Sequence, residues 1–213
     1  MRETDTTIDH PIFLESIRFI QAHLDTTGLD PLEQKVLERL IHSSGDFELK
    51  SLIRFSPCAC QKGISALQEG AVILTDTAMA AAAVSPMASR TTNSKVLTIL
   101  DWVTEQRFSG IQSRTAIGME RAWKELLNQS PEAPSPIVLI GSAPTALMAL
   151  LDLVGQGLLP PSLIIGMPVG FIGVAESKRR LAKSRLSNIR LDGTRGGAGL
   201  AAATINALLR ASI

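Results

Sequence analysis

The chain has 213 residues, 45% of them apolar and 19% charged, with a formal charge of +1. That length and apolar content exclude a disordered chain and suffice for one large domain, residues 1–213, with a core of its own. Near-neutral charge leaves no global field to gather nucleic acid or an acidic membrane surface, so neither is expected as a partner. Charge is nonetheless unevenly placed. Residues 1–50 hold ten acids against five bases, whereas 178–195 hold seven bases against Asp192 alone. Such a basic stretch is either a solvated helix face or a receiver for an anionic ligand.

Residues 1–10 read as a loose polar tail, without the basic-then-apolar pattern of a secretory signal. From Pro11 to Leu24, the spacing of Ile12, Ile17, Ile20 and Leu24 predicts an amphipathic helix carrying Ser16 and Arg18. Asp30-Pro31-Leu32-Glu33 then opens a second helix with an N-cap, a proline at the first turn and a capping-box glutamate. Gly45 stops it. Arg39 and His42, three residues apart, share one face near its end, where the helix dipole favours a protonated imidazole. Phe47 to Phe55 is expected to be a third helix capped by Asp46. Ser56-Pro57 to Leu67 is expected to be a fourth. Cys58 and Cys60 fall inside it and point apart, so they read as reduced thiols, in keeping with a cytoplasmic protein.

From residue 71 the pattern changes to short apolar runs alternating with helical periods. Strands are expected at 71–76, 96–100, 137–141, 162–166 and 189–191, each followed by a helix. This alternation predicts an α/β fold of three layers: helices on both faces of a mostly parallel, about five-stranded sheet. A helical segment, residues 1–70, precedes the 71–213 core. The apolar runs are broken by Gly and Pro, well short of a membrane span.

Ligands of such sheets bind beyond the carboxyl ends of the strands. Three small loops fall there. Gly141-Ser142-Ala143-Pro144 opens a helix and is expected to leave amide groups aimed outward. The segment from Gly166 to Gly173 contains three glycines, and Gly193 to Gly199 encloses Arg195. Asp76, at a strand end, either orients a ligand or caps the next helix, with capping favoured. His10, His23 and His42 do not form a zinc-ligand pattern, and neither a G-x-S-x-G elbow nor a dinucleotide fingerprint occurs. One titratable acid/base, His42, with cations and amide donors, suits isomerisation better than hydrolysis or redox chemistry.

Arg39-Leu-Ile-His42, Gly141-Ser-Ala-Pro-Thr-Ala146, Gly166-Met-Pro-Val-Gly-Phe171 with Glu176-Ser-Lys178, and Arg195-Gly-Gly197 occur in an order and spacing that resemble the precorrin-8X (cobalt-precorrin-8) methylmutase family. The likeness runs from about Pro11 to Leu209. It implies an isomerase of cobalamin biosynthesis that moves a methyl group from C11 to C12 of a ring-contracted tetrapyrrole, giving hydrogenobyrinic acid or its cobalt counterpart. His42 matches the family's proton donor/acceptor. Ser16 and Arg39 match substrate-contacting positions, and Arg114 matches an arginine in the family's next loop; with Ser142, Lys178, Arg195 and Gly196 in the other matching segments, they are the expected substrate-binding residues. The resemblance implies no cofactor, no protein metal, and a homodimer with its pocket near the subunit interface. Loops 80–95 and 101–112 depart most from the family pattern. The alternative is a carrier that binds the same corrinoid polyacid without turning it over.

Overall fold

The computed structural model describes residues 10–103, 113–129 and 132–213. The expected polar tail and most of the 101–112 loop fall outside these residues. The described residues form nine α-helices and one six-stranded sheet.

The first two helices start and stop where their end residues dictate. Helix α1 spans Pro11–His23 and α2 spans Pro31–Ser44. The Asp30 carboxylate accepts from the amides of Leu32 and Glu33, and the Glu33 carboxylate accepts from the Asp30 amide. Gly45, at φ 68°, ends α2 in the left-handed region that only glycine enters without strain.

The segment read as one helix from Phe47 to Phe55 divides instead. A single turn, α3 (Leu49–Leu52), gives way to strand β1 (Ile53–Phe55). Ile53-Arg54-Phe55 alternates buried and exposed, and pairs antiparallel with a distant strand, which a helical pattern read locally misses. This supplies the sixth strand of the sheet. The next helix, α4 (Ala59–Gln68), begins later than expected, because Cys58 adopts a left-handed φ of 58°. Cys58 is exposed and Cys60 buried; burial pushes the Cys60 thiol up to about 12, so it stays inert.

The remaining chain alternates as its apolar pattern requires: β2 (Ile73–Thr75), α5 (Ala78–Arg90), β3 (Val96–Thr98), α6 (Arg114–Gln129), β4 (Ile137–Ile140), α7 (Pro144–Gly155), β5 (Leu163–Gly166), α8 (Val174–Lys183), β6 (Asn188–Leu191) and α9 (Ala198–Ala211). β3 ends early because Thr98 caps a 3-10 turn over Ile99–Trp102. The sheet order is β1-β6-β5-β4-β2-β3, with every pair parallel except β1–β6. Among the parallel strands this is the doubly wound order that reverses direction between β2 and β4, the place where such folds usually hold a ligand.

Alternate strand residues serve opposite layers. Ile73, Ile137, Leu139, Leu163 and Ile165 join one core with α2, α4, α5 and α9, while Leu74, Val138, Ile140 and Ile164 join another with α6, α7 and α8. Helix α9 lies against β4 and β5, and α2 packs across it from outside. Covered on both sides, α9 is buried nearly throughout, which explains its alanines: small side chains let two layers close on one helix. No described helix is long and apolar enough to cross a membrane.

Candidate active site

His42 sits in the last turn of α2, half-buried, where α1 crosses it. Ser16 Oγ on α1 lies 2.7 Å from His42 Nδ1. One turn earlier on α1, Phe13 meets the imidazole edge to face, the ring centres 4.9 Å apart and the planes at 86°. Two guanidinium carbons lie over the same phenyl ring, Arg39 at 4.7 Å and Arg210 at 5.2 Å from its centre. Phe13, Arg39 and Arg210 also line a cavity of about 290 Å³ between α1, α2 and α9. The imidazole and the cavity thus share a wall.

Electrostatics at His42 run opposite to the dipole-based expectation. Burial holds its pKa below the ordinary value, and the charges of Arg39 and Arg210 push the same way. Two nearby cations and lost hydration outweigh the partial negative charge of the helix end. Near neutral pH the ring is therefore mostly uncharged, and Ser16 at Nδ1 leaves Nε2 as the nitrogen for chemistry. When Ser16 donates to Nδ1, Nε2 carries the proton; when Nδ1 donates to Ser16, Nε2 is a base.

The carboxyl edge of the sheet differs from expectation at its centre. The amides of Gly141, Ser142 and Ala143 do not face outward. All three donate to Asp76 Oδ2, at 3.0, 2.6 and 2.8 Å. Asp76 follows β2, is 0% exposed, and caps α7 from the neighbouring strand, because Ala143 at the N-cap has no side chain able to do so. Burial pushes the Asp76 carboxyl up, against the pull of the three amides. Thr77, not Asp76, caps α5. The β2/β4 switch point is occupied by the protein's own carboxylate.

The glycine loops brace one another. Val169 N donates to Gly141 O, Gly170 N to Thr194 O, and Gly197 N to Met167 O. A Cβ on Gly196 would lie 2.0 Å from Met167 O, so only glycine permits this approach. Lys178 is buried and holds the 193–195 turn from beneath, its Nζ donating to Gly193 O at 2.9 Å and Arg195 O at 2.6 Å. Burial pushes its ammonium down to about 8, still charged at neutral pH. Arg195 points the other way and pairs with Asp46 at 3.0 Å, tying this turn to the end of α2 just beyond His42.

Of the residues singled out by sequence, Ser16, Arg39 and His42 form one contiguous group. Arg195 is held near the end of α2 by Asp46, without a contact to that group. Ser142 is exposed at the start of α7, and Arg114 is exposed at the start of α6. Those two helix starts are linked through Thr145, 2.6 Å from Ser113 Oγ and 2.9 Å from Thr115 Oγ1. Gly196 and Lys178 shape the loop that carries Arg195. Sequence reading missed Phe13 and Arg210. Phe13 was legible as a residue one turn before Ser16; Arg210 carried no signal, since only packing brings the end of α9 to α1. Among the described residues, no three His, Cys, Asp or Glu side chains gather as a metal site requires.

Fold and geometry together define a doubly wound α/β protein whose helical cap places a half-buried histidine beside a cation-lined cavity. The family described as precorrin-8X methylmutase matches residues 11–211. The chain is 36% identical to the cobalt-precorrin-8 methylmutase of a Synechocystis strain, over 95% of both chains. It is also 36% identical to the precorrin-8X methylmutase of Pseudomonas aeruginosa, over 92% of this chain and 93% of that one. The solved precorrin-8x methyl mutase from Thermus thermophilus superposes with a TM-score of 0.85 at 36% identity, covering 94% of this chain and 95% of that one. This chain belongs to the precorrin-8X methylmutase family.

Proposed function

We propose that the protein is an isomerase that moves the C11 methyl group of precorrin-8X, or of its cobalt-containing counterpart, to C12, with His42 as the acid/base. The observation that carries this reading is His42 itself, held at Nδ1 by Ser16 and walled by Phe13 beside a cationic cavity, in a chain of this family. The reaction breaks one carbon–carbon bond and makes another, with no atom gained or lost. It calls for no nucleophile and no hydride. What helps is a proton placed on, or hydrogen-bonded to, the conjugated macrocycle while the methyl migrates, then taken back. A neutral imidazole pinned at Nδ1 offers its Nε2 for that purpose. The burial and cations that lower its pKa make its protonated form a stronger acid.

The substrate is a polyacid, which fits the arginines around His42. A cavity of about 290 Å³ holds only part of a macrocycle, and Phe171 and Ile172 on the carboxyl edge are 86% and 90% exposed. Both observations support a homodimer whose second subunit helps enclose the ligand, which sedimentation analysis tests. Relatives named for the metal-free and cobalt forms stand at the same 36% identity, so either form is a candidate substrate.

The test is to incubate purified protein with precorrin-8X and with its cobalt form, following the absorption spectrum. Catalytic conversion of either, abolished in His42→Ala with binding retained, is the expected result. A stoichiometric spectral change without turnover overturns the reading in favour of a carrier.

A further inference from the structure

Helix α1 is fastened to the rest of the molecule by little apolar burial. Ile20 is the buried residue among its thirteen, while Ile12, Leu14 and Phe19 are exposed. A helix so thinly anchored pivots and slides unless polar ties fix it. One tie is the contact of Ser16 Oγ with His42 Nδ1. A second lies further along α1, where Gln21 Nε2 donates to Glu38 Oε2 at 3.0 Å. The later residue on α1 meets the earlier one on α2, so the two helices run antiparallel. Ser16 and Gln21 are five residues apart and His42 and Glu38 four. The ties therefore stand roughly 6–8 Å from each other along the helices, enough to stop both a slide and a pivot.

Glu38 is 4% exposed, and its other oxygen accepts from Gln34 Nε2, also at 3.0 Å. Thr27 Oγ1 donates to Gln34 Oε1 at 2.6 Å, which settles which end of that carboxamide faces Glu38. Two donors thus meet two carboxylate oxygens across α1, α2 and the connection between them. Burying a carboxylate costs stability that an apolar side chain at this position would not. What the carboxylate adds is direction: apolar contact tolerates sliding, and a hydrogen bond to one oxygen does not. Glu38 also precedes His42 by one helical turn, so both project toward α1 from the same face of α2.

We propose that Glu38 is a positioning residue for His42: by clamping Gln21 it fixes α1 along α2 and so holds Ser16 at Nδ1. Without the clamp, Ser16 and Phe13 shift together, and the imidazole loses its fixed orientation and tautomer. The consequence for turnover rests on the acid/base reading of Proposed function; the consequence for the ring does not.

The test is 15N NMR of the imidazole at a pH where His42 is neutral, its signals identified by their loss in His42→Ala, beside steady-state kinetics. Glu38→Met removes both acceptors and is expected to move the Nδ1 and Nε2 resonances most of the way to their positions in Ser16→Ala. Its kcat is expected to fall about tenfold with KM changed less than about twofold, and Ser16→Ala/Glu38→Met to lose no more than Ser16→Ala alone, because one acts through the other. Glu38→Gln is expected to keep the wild-type resonances, since the exposed Gln21 can turn its carboxamide over and accept from the new amide. Resonances unmoved in Glu38→Met, or kcat losses that multiply in the double variant, overturn the proposal. So does a Glu38→Gln protein as disturbed as Glu38→Met, which would assign the effect to charge. Should Glu38→Met fail to fold, Gln21→Leu on the surface of α1 decides by the same resonances: moved, they support the clamp; unmoved, they overturn it. Resonances that respond as expected in a protein that does not isomerise precorrin-8X refute the proposed activity while leaving the clamp standing. A protein that isomerises, with resonances unmoved in Glu38→Met, does the reverse.

Discussion

Two regions of this molecule could receive an anion, and they are built in opposite ways. At the switch point between β2 and β4, three backbone amides converge, but Asp76 fills the place and is fully buried. Beside α2, the cations Arg39 and Arg210 line a cavity that shares Phe13 with His42. The usual ligand crevice of the fold is closed by a structural joint, and the proposed chemistry lies on helices added before the sheet. A small loop opening a helix at a sheet edge is thus no proof of an open anion site. Its donors must first be counted against the protein's own acceptors.

That contrast is broken first by His42→Ala. Turnover is expected to fall about 10²- to 10⁴-fold, the range of a lost acid/base, while tetrapyrrole binding and melting temperature hold. Steady-state kinetics beside a binding titration checks this. Asp76→Ala should do the reverse. Stranding three amides, most of them buried, is expected to cost about 3–5 kcal/mol, lowering the melting temperature by roughly 6–20 °C. Activity per folded molecule should stay within about twofold. If Asp76→Ala instead abolishes turnover in protein of normal stability, the switch point belongs to the active site after all.

Smaller effects sharpen the comparison. Ser16→Ala removes the 2.7 Å contact at Nδ1. A loss of about 1–1.5 kcal/mol, or roughly tenfold in kcat, is expected, with KM little changed. Arg210→Met should raise the titration midpoint of His42, because a cation that disfavours imidazolium is gone; NMR of the ring protons reads it directly. In the wild type that midpoint lies below 6.5. The unfolded chain therefore binds the proton more tightly than the folded one. The stability linked to His42 is complete above 6.5 and is lost as pH falls through the folded value. Smallest of all, Arg195→Ala breaks a half-exposed pair with Asp46 and should cost less than about 1 kcal/mol by thermal melting.

Much of this could be read from the chain before any coordinates. Asp30, Pro31, Glu33 and Gly45 marked both ends of α2, because capping is decided within a few residues. Strands β2, β4 and β5 were legible because strands buried on both faces are apolar throughout, whereas β6, with Asn188 and Arg190 in it, left only the short pattern Ile189-Arg190-Leu191. Within the candidate site, the shared face of Arg39 and His42 was legible from helical spacing, and Ser16 was singled out by family likeness; its 2.7 Å contact with His42 appears only in the folded chain. β1 was not legible: three residues carry little pattern, and its strand character comes from pairing with β6, far along the chain.

Local chemistry in the sequence determined where helices begin, which faces turn inward, and that a histidine and an arginine share the end of α2. Only the folded chain decided what those groups do. Packing carried Arg210 and Phe13 to the imidazole and made it easier to deprotonate, and it turned three amides away from solvent onto Asp76. The reason is common to both outcomes: pKa values and hydrogen-bond partners depend on distance and dehydration, and those exist only once segments remote in sequence are brought together.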